Sequence, residues 1–482
     1  MQEERYVAVV DFGSSKVSLC VSSVKDGAPD QILFFKNLPS EGIVRGNILN
    51  PQKVAAPLRS LVNEAQAQTG LHITLAVVNL PRWNVRTQNI SHRMDDRDPS
   101  AYITQNDIHD LSEFAYSELS HRIDNKTDII YGILPQSYST EDMLQVSEDD
   151  VIGATSSFLE GHFIAFTGAK RYKDNIDRVL SDVGLSAADY VFSPVCESEN
   201  VITEEEKDRG AALVEIGAEV TSVSVYHKGA LRYYGAFPFG GKVVTSDIHT
   251  ECNIPDKLAE NLKLAYGFCT PDRLQTLSDK TIKIDNPASS ESQQLTVKYL
   301  AEIIYCRMNE ILNAVMHLIG ESGLDNNLRA GIILSGGGSL IHCCCSLVSS
   351  MTGLPCRIAY PALFRSPKEN ALEGLLLNAA YNEYLNCAVP ATEEEKKEQE
   401  KKAEEKEEEE PILVAPTIEP EPVQKPKPAA KPAAQPTPKK KKEGFFSALG
   451  NKMGHGLKQV GGMMGDMFEG VYDSATDDNT NK

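Results

Sequence analysis

The chain has 482 residues, with 48 Lys and Arg against 68 Asp and Glu, a net charge of −20, ten Cys and 41% hydrophobic residues. That length suits about three domains with real cores, and the acidic balance argues against a general nucleic-acid binder, because a phosphate backbone is held by basic surface. The charge is uneven, however: residues 393–482 hold 15 Lys against 19 Asp and Glu, a net −4, which leaves −16 on residues 1–392. Any anionic surface must therefore be met locally.

No signal peptide is readable at residues 1–10, and no run of about 18 apolar residues is present to span a bilayer as a helix. The cytosolic, reducing setting this suggests makes the cysteines packed thiols rather than a disulfide framework. The run Cys343-Cys344-Cys345 after His342 invites a metal reading, but it lacks paired spacing, and three adjacent cysteines cannot all face one ion.

Residues 1–390 read as α/β, with strands at 6–10, 211–215, 221–226 and 331–335 alternating with amphipathic helices at 51–68, 172–183 and 297–319. The first strand ends in Asp11-Phe-Gly13-Ser14-Ser15-Lys16 and a second strand returns at 17–22. Such a hairpin offers backbone N–H groups, two hydroxyls and a cation to phosphate oxygens, and Asp11 at the strand end can hold Mg²⁺ through water. An ordinary β-hairpin with a polar turn has the same local pattern.

About 200 residues later the unit recurs as Glu215-Ile-Gly217-Ala218-Glu219-Val220, returning through 222–226. An internal repeat of this kind suggests two related domains facing each other across a nucleotide. A third piece, the buried-type strand 331–335 delivering Gly336-Gly337-Gly338, presents backbone that a flat base or ribose can approach closely.

These three pieces, in this order and spacing, resemble the actin-like ATPase superfamily of actin, the Hsp70 chaperones and the sugar kinases. The nearer resemblance is to the FtsA family of bacterial cell-division proteins, over residues 5–388 and the terminal helix. It is carried also by segments 41–46, 159–163, 229–232, 241–248 and 330–339. The resemblance implies an actin-like, ribonuclease H-like duplicated fold with two lobes around a cleft for ATP and Mg. Subdomain 1A would span 1–84 and 161–194, an inserted 1C 85–160, 2A 195–242 and 300–390, and 2B 243–299. Glu260 and Lys263 match the position at which the superfamily contacts the ribose. In the family, 1C helps build filaments and 2B receives the C-terminal peptide of the tubulin-like FtsZ, tying the FtsZ ring to the cytoplasmic face of the inner membrane at the division site beside other division proteins.

After residue 390 the composition changes. Residues 393–410 hold eleven Glu and five Lys, and residues 411–438 hold nine Pro, which reads as an extended linker over 391–442. Beyond it lie Lys439 to Lys442 and a segment, 443–471, whose apolar residues Phe445, Phe446, Leu449, Met453, Leu457, Val460, Met464, Met467, Phe468 and Val471 recur at steps of three and four. Glycines such as Gly450, Gly454 and Gly461 each cost about 1 kcal/mol in a helix. A helix that forms on contact with an anionic membrane fits both facts, the lysines supplying local positive charge; packing on the body or on another protein is the alternative. A terminal helix of this kind is a further mark of the FtsA family.

One departure bears on mechanism. Where much of the superfamily has Asp-Ile-Gly-Gly-Gly-Thr, this chain has Ala218 and Glu219, which add Cβ atoms and a negative charge where backbone approaches phosphate. Glu215 is the only local candidate for a general base. The reading is therefore an ATP-binding, filament-forming adaptor with weak or absent hydrolysis. A small-molecule kinase of the same superfamily is the alternative, and a pilus-assembly relative of FtsA without the membrane tail is a third. Trp83 with Arg82, Arg86, Arg93 and Arg97 reads as a solvated loop or a filament contact.

Overall fold

The computed structural model describes residues 4–274, 277–284 and 293–392. The linker from 393 onward and all the expected membrane-facing residues lie outside that range.

The principal elements of the first half are β1 (Arg5–Phe12), β2 (Lys16–Lys25), β3 (Ala28–Pro39), α1 (Pro51–Thr69), β4 (Leu75–Asn79), β5 (Arg86–Met94), α2 (Gln105–Arg122), β6 (Asp128–Ser139), β7 (Leu159–Ala169), α3 (Lys170–Asp182) and β8 (Ser186–Val191). Helix α4 (Ser193–Val201) leads into β9 (Ala211–Ile216), β10 (Thr221–His227), β11 (Ala230–Phe237), α5 (Gly241–Cys252), α6 (Asp256–Tyr266), α7 (Val297–Glu321), β12 (Gly331–Ser335), α8 (Cys344–Thr352), β13 (Cys356–Ile358) and α9 (Asn370–Tyr381).

The two large sheets have one topology. The first runs β3-β2-β1-β4-β8 and the second β11-β10-β9-β12-β13. In each, a three-strand antiparallel meander is followed by two strands parallel to its first member, with Val9 opposite Val77 in one sheet and Leu213 opposite Ile333 in the other. This is the duplicated α/β arrangement expected from the sequence. A separate three-stranded sheet, β5-β7-β6, lies between β4 and β8 in the chain.

Continuous apolar runs make the central strands. Val7 to Val10 are all fully buried, as are Ile333 and Leu334, which fits strands covered on both faces rather than half-solvated ones. Burying each such side chain contributes about 1.5–3 kcal/mol. Helix α1 covers β2 and β3, while α9 returns from the second sheet to pack on α4 and β1. Asn50 caps α1 by accepting from the Lys53 N–H, Pro51 opens it, and Gly70 closes it in the left-handed conformation. The 25-residue α7 is about 37 Å long and backs the second sheet against β10, burying Leu300, Ile304, Ile311, Val315 and Leu318 along one stripe. The three helices expected at 51–68, 172–183 and 297–319 form within two residues of those bounds.

Candidate functional site

The duplication reaches the level of single hydrogen bonds. In the first hairpin Phe12 pairs with Val17 and the Gly13 N–H donates to the Lys16 carbonyl at 3.0 Å; in the second Ile216 pairs with Thr221 and the Gly217 N–H donates to the Val220 carbonyl at 2.9 Å. Space is short at both glycines. A Cβ on Gly13 would stand 3.0 Å from the Lys16 oxygen, and one on Gly217 2.8 Å from the Val220 oxygen. Asp11 and Glu215 hold equivalent positions, paired with Ser18 and Ser222.

The loops after the fourth strand of each half meet these hairpins. Gly336, with φ +77°, brings its loop against the end of β9: a Cβ there would stand 2.5 Å from the Ile216 oxygen, and one on Gly338 2.3 Å from an Ile216 methyl carbon. The corresponding loop of the first half, after Asn79, delivers Arg82. Its guanidinium bonds to Glu197 at 2.9 Å and to Glu215, and it is only 12% exposed. Glu197 is buried and also accepts from Ser335 Oγ, to which Asn370 Nδ2 donates at 2.9 Å. Arg82 is thus a buried joint between the two sheets, not part of a solvated loop. Arg86, Arg93 and Arg97 are each paired, with Asp128, Asp95 and Asp107.

Three lysines beside the hairpins are held by carboxylates. Lys16 pairs with Glu369 at 2.8 Å, Lys242 with Glu219 at 2.8 Å, and Lys263 with Glu260 at 2.7 Å. Lys242 Nζ also reaches the Ser14 carbonyl at 2.8 Å, and the other Glu219 oxygen accepts from the Arg45 N–H at 2.6 Å. Glu219 therefore faces the first hairpin, with its charge matched by Lys242. Ser14 is buried and its hydroxyl accepts from the Gly46 N–H, while Ser15 is exposed.

Lys263 on α6 donates to the Gly241 carbonyl at 2.9 Å, and the Gly241 N–H donates to Gly217 O at 2.9 Å. The pair Glu260 and Lys263 is thereby attached to the second hairpin through α5. Lys368 lies along Gly337, 3.5 Å from where its Cβ would be.

Charge and burial conflict here. Burial pushes the Glu215 carboxyl up to about 8, with Arg82 opposing and Glu197 and Asp11 adding to the rise. Burial likewise raises Asp11, while Lys16 and Arg82 pull it down. Burial pulls Lys263 below the usual lysine range against the field of Glu260. Two carboxyl groups bond one guanidinium and Asp11 lies in its field and that of Lys16, so burial of this many acids favours either a bound proton or a further cation. Among the described residues, no three His, Cys, Asp or Glu side chains form a preformed metal cage.

The structure brings together Asp11, Gly13, Ser14, Lys16, Glu215, Gly217, Glu260, Lys263 and Gly336 to Gly338. Sequence reasoning missed Arg82, Glu197, Lys242, Lys368 and Glu369. For Arg82 the usable signal was topological, since it lies in the loop after the strand whose counterpart in the second half runs into the glycine loop. For Lys242 it was the Gly240-Gly241-Lys242 helix start.

A sequence model described as "Cell division protein FtsA" matches residues 212–381. The chain is 28% identical over 383 residues to cell division protein FtsA of Neisseria meningitidis serogroup B, covering 78% of this chain and 90% of the relative. To FtsA of Pseudomonas aeruginosa it is 26% identical over 361 residues, covering 75% and 84%. Among solved structures, a chain of a PilM-PilN type IV pilus biogenesis complex superposes with a TM-score of 0.53 at 14% identity, over 78% of this chain and 98% of that one. The fold is the actin-like α/β fold.

Two outcomes follow from the cluster. Replacing Arg82 by Ala strands buried carboxylates, and denaturant unfolding is expected to show a loss of about 3–5 kcal/mol. A carboxyl whose pKa rises on folding takes up a proton, so its stabilising effect is complete below the unfolded value near 4.5 and is lost as pH rises through about 8. Glu215→Gln is therefore expected to flatten the fall in thermal stability between pH 5 and 8, and an unchanged slope would place the titration elsewhere.

Proposed function

We propose that this chain, a member of the FtsA family of cell-division proteins, binds ATP with Mg²⁺ between its two sheets and serves as a filament-forming adaptor that ties an FtsZ ring to the cytoplasmic face of the inner membrane. The observation that carries the nucleotide reading is the pair of matched glycine hairpins, joined by Lys242, with Lys16, Lys263 and Lys368 around them.

In this reading the backbone N–H groups of Ser14, Ser15, Ala218 and Glu219 and the side chain of Lys16 take the phosphates. Gly336 to Gly338 admit the base, and Glu260 with Lys263 takes the ribose. The excess of carboxyl groups over guanidinium supports Asp11 and Glu215 as the groups that hold Mg²⁺ through water, where the ion would offset phosphate charge. Glu215, the candidate base, is engaged by Arg82, which disfavours it as a proton acceptor for water. ATP then acts chiefly as a ligand that stabilises one conformation of the two halves.

Family membership supports the remaining assignments: 85–160 for self-association, 243–299 for the FtsZ peptide, 391–442 as spacer and 443–471 as the membrane-facing helix. Among the described residues no helix is long and apolar enough to cross a membrane, so attachment rests on Phe445, Phe446 and the apolar positions that follow them. The same premise supports a location at the division site beside other division proteins.

Calorimetric titration with Mg·ATP tests the cleft. Lys242→Ala is expected to weaken binding about tenfold, ~1.4 kcal/mol, while Glu219→Gln tightens it by removing a competitor for that lysine; weaker binding by Glu219→Gln overturns the competition. Sedimentation of the full chain with anionic liposomes, with and without ATP and FtsZ, tests the anchor. Phe445→Glu with Phe446→Glu is expected to abolish pelleting while leaving folding and nucleotide affinity unchanged, and full pelleting by that variant sinks the assignment. ATP consumption that requires an added sugar or acid would instead favour a kinase.

A further inference from the structure

Between β3 and α1 the chain forms a short hairpin, with Ile43 opposite Ile48 and Val44 opposite Asn47, turned by Arg45 and Gly46. Ile43, Asn47 and Ile48 are buried, while Val44, Arg45 and Leu49 are exposed, so the stem is fixed in the core and the tip stands out from it. The Ser40 hydroxyl, just before the stem, donates to the Gly13 carbonyl at 2.8 Å, and Asn175 Nδ2 donates to the Ile48 carbonyl at 2.8 Å.

The tip meets both glycine hairpins at once. The Gly46 N–H donates to Ser14 Oγ at 2.8 Å and the Arg45 N–H to Glu219 at 2.6 Å, one bond to each half. These are the turns that take phosphate in the nucleotide reading. No hydrogen bond among the described residues joins Arg45 or Gly46 to Gly336, Gly337, Gly338, Glu260 or Lys263 on the base and ribose side.

Arginine is an unusual residue for this turn. Two-residue hairpin turns with positive φ at both central positions favour Asn, Asp or Gly, yet Arg45 has φ +52° beside Gly46 at +75°. An L side chain in that conformation is strained, and strain of this kind at a ligand site motivates a role for the side chain itself. The Arg45 guanidinium makes no ion pair among the described residues, whereas Lys16, Lys242 and Lys263 are each held by a carboxylate. Glu219 accepts from the Arg45 backbone, so it fixes the tip and leaves the guanidinium charge unspent.

We propose that Arg45 binds the terminal phosphate of ATP and sets a preference for nucleoside triphosphate over diphosphate, a role that rests on the nucleotide reading above. A guanidinium presents paired donors to phosphate oxygens. With the base at the glycine loop, the phosphate nearest the tip is the last in the chain, and a diphosphate leaves Arg45 without a partner.

Calorimetric titration of the full chain with Mg·ATP and with Mg·ADP tests this. Arg45→Ala is expected to weaken ATP binding about tenfold and ADP binding less than about twofold, and Arg45→Lys to recover part of the ATP loss through its charge. Arg45→Gly separates side chain from backbone. Glycine suits the positive φ, so this variant should unfold at a higher temperature than Arg45→Ala while binding ATP no more tightly. The proposal is overturned if Arg45→Gly binds ATP as tightly as the wild-type chain, or if Arg45→Ala loses ATP and ADP equally. A wild-type chain that binds neither nucleotide overturns the nucleotide reading itself, and the proposal with it.

Discussion

The junction of the two sheets depends on charge compensation supplied by the chain itself. Arg82, from the first half, sits in a buried setting between Glu197 and Glu215 of the second. A charge taken out of water survives only if its partners are close and its remaining donors are satisfied, and here the partners come from elements more than a hundred residues away. The same rule governs the rim, where Lys16, Lys242 and Lys263 each hold a carboxylate. On the proposed nucleotide reading, the entering phosphates would take these ammonium groups from Glu369, Glu219 and Glu260. Such binding would be an exchange of anionic partners, with a net gain smaller than the sum of the new contacts.

The duplicated hairpins show which features backbone geometry fixes and which it leaves free. Both turns close by the same N–H to carbonyl bond, and both have glycine where a Cβ would press on the closing oxygen. The positions between are unconstrained in that way, and they have diverged: Ser14, Ser15 and Lys16 stand opposite Ala218, Glu219 and Val220. The first hairpin keeps a cation, whereas the second keeps a carboxylate that needs Lys242 to neutralise it. Equivalent backbone therefore carries opposite electrostatics in the two hairpins.

This division also explains what could be read from sequence. The hairpins were legible because strand, glycine and return strand are local patterns, and the long helices because their apolar spacing is local as well. Arg82 was not, because nothing near it marks a guanidinium that will be buried; its neighbours Arg86, Arg93 and Arg97 suggested a loop surface. Glu197 and Glu369 acquire meaning only through partners brought together by the fold, at separations of 115 and 353 residues. The apolar positions from Phe445 onward, expected from their spacing to face a membrane, lie outside the described residues.

Glu215 is where these strands of argument meet. A general base for water needs a pKa near neutrality and a free lone pair within reach of the proton. Burial gives Glu215 the first property, but its Oε2 is held by Arg82, which restricts the second and stabilises the ionised form against taking a proton. A γ-phosphate could release Glu215 only by drawing Arg82 away, because guanidinium groups bind phosphate as well as carboxylate. Glu197 opposes that movement: it is 1% exposed, it holds the same guanidinium nitrogen, and its other oxygen is fixed by Ser335. Losing Arg82 would leave Glu197 buried without a counter-charge, at a cost of several kcal/mol. On the proposed nucleotide reading, this arrangement favours a ligand that persists over one that is consumed.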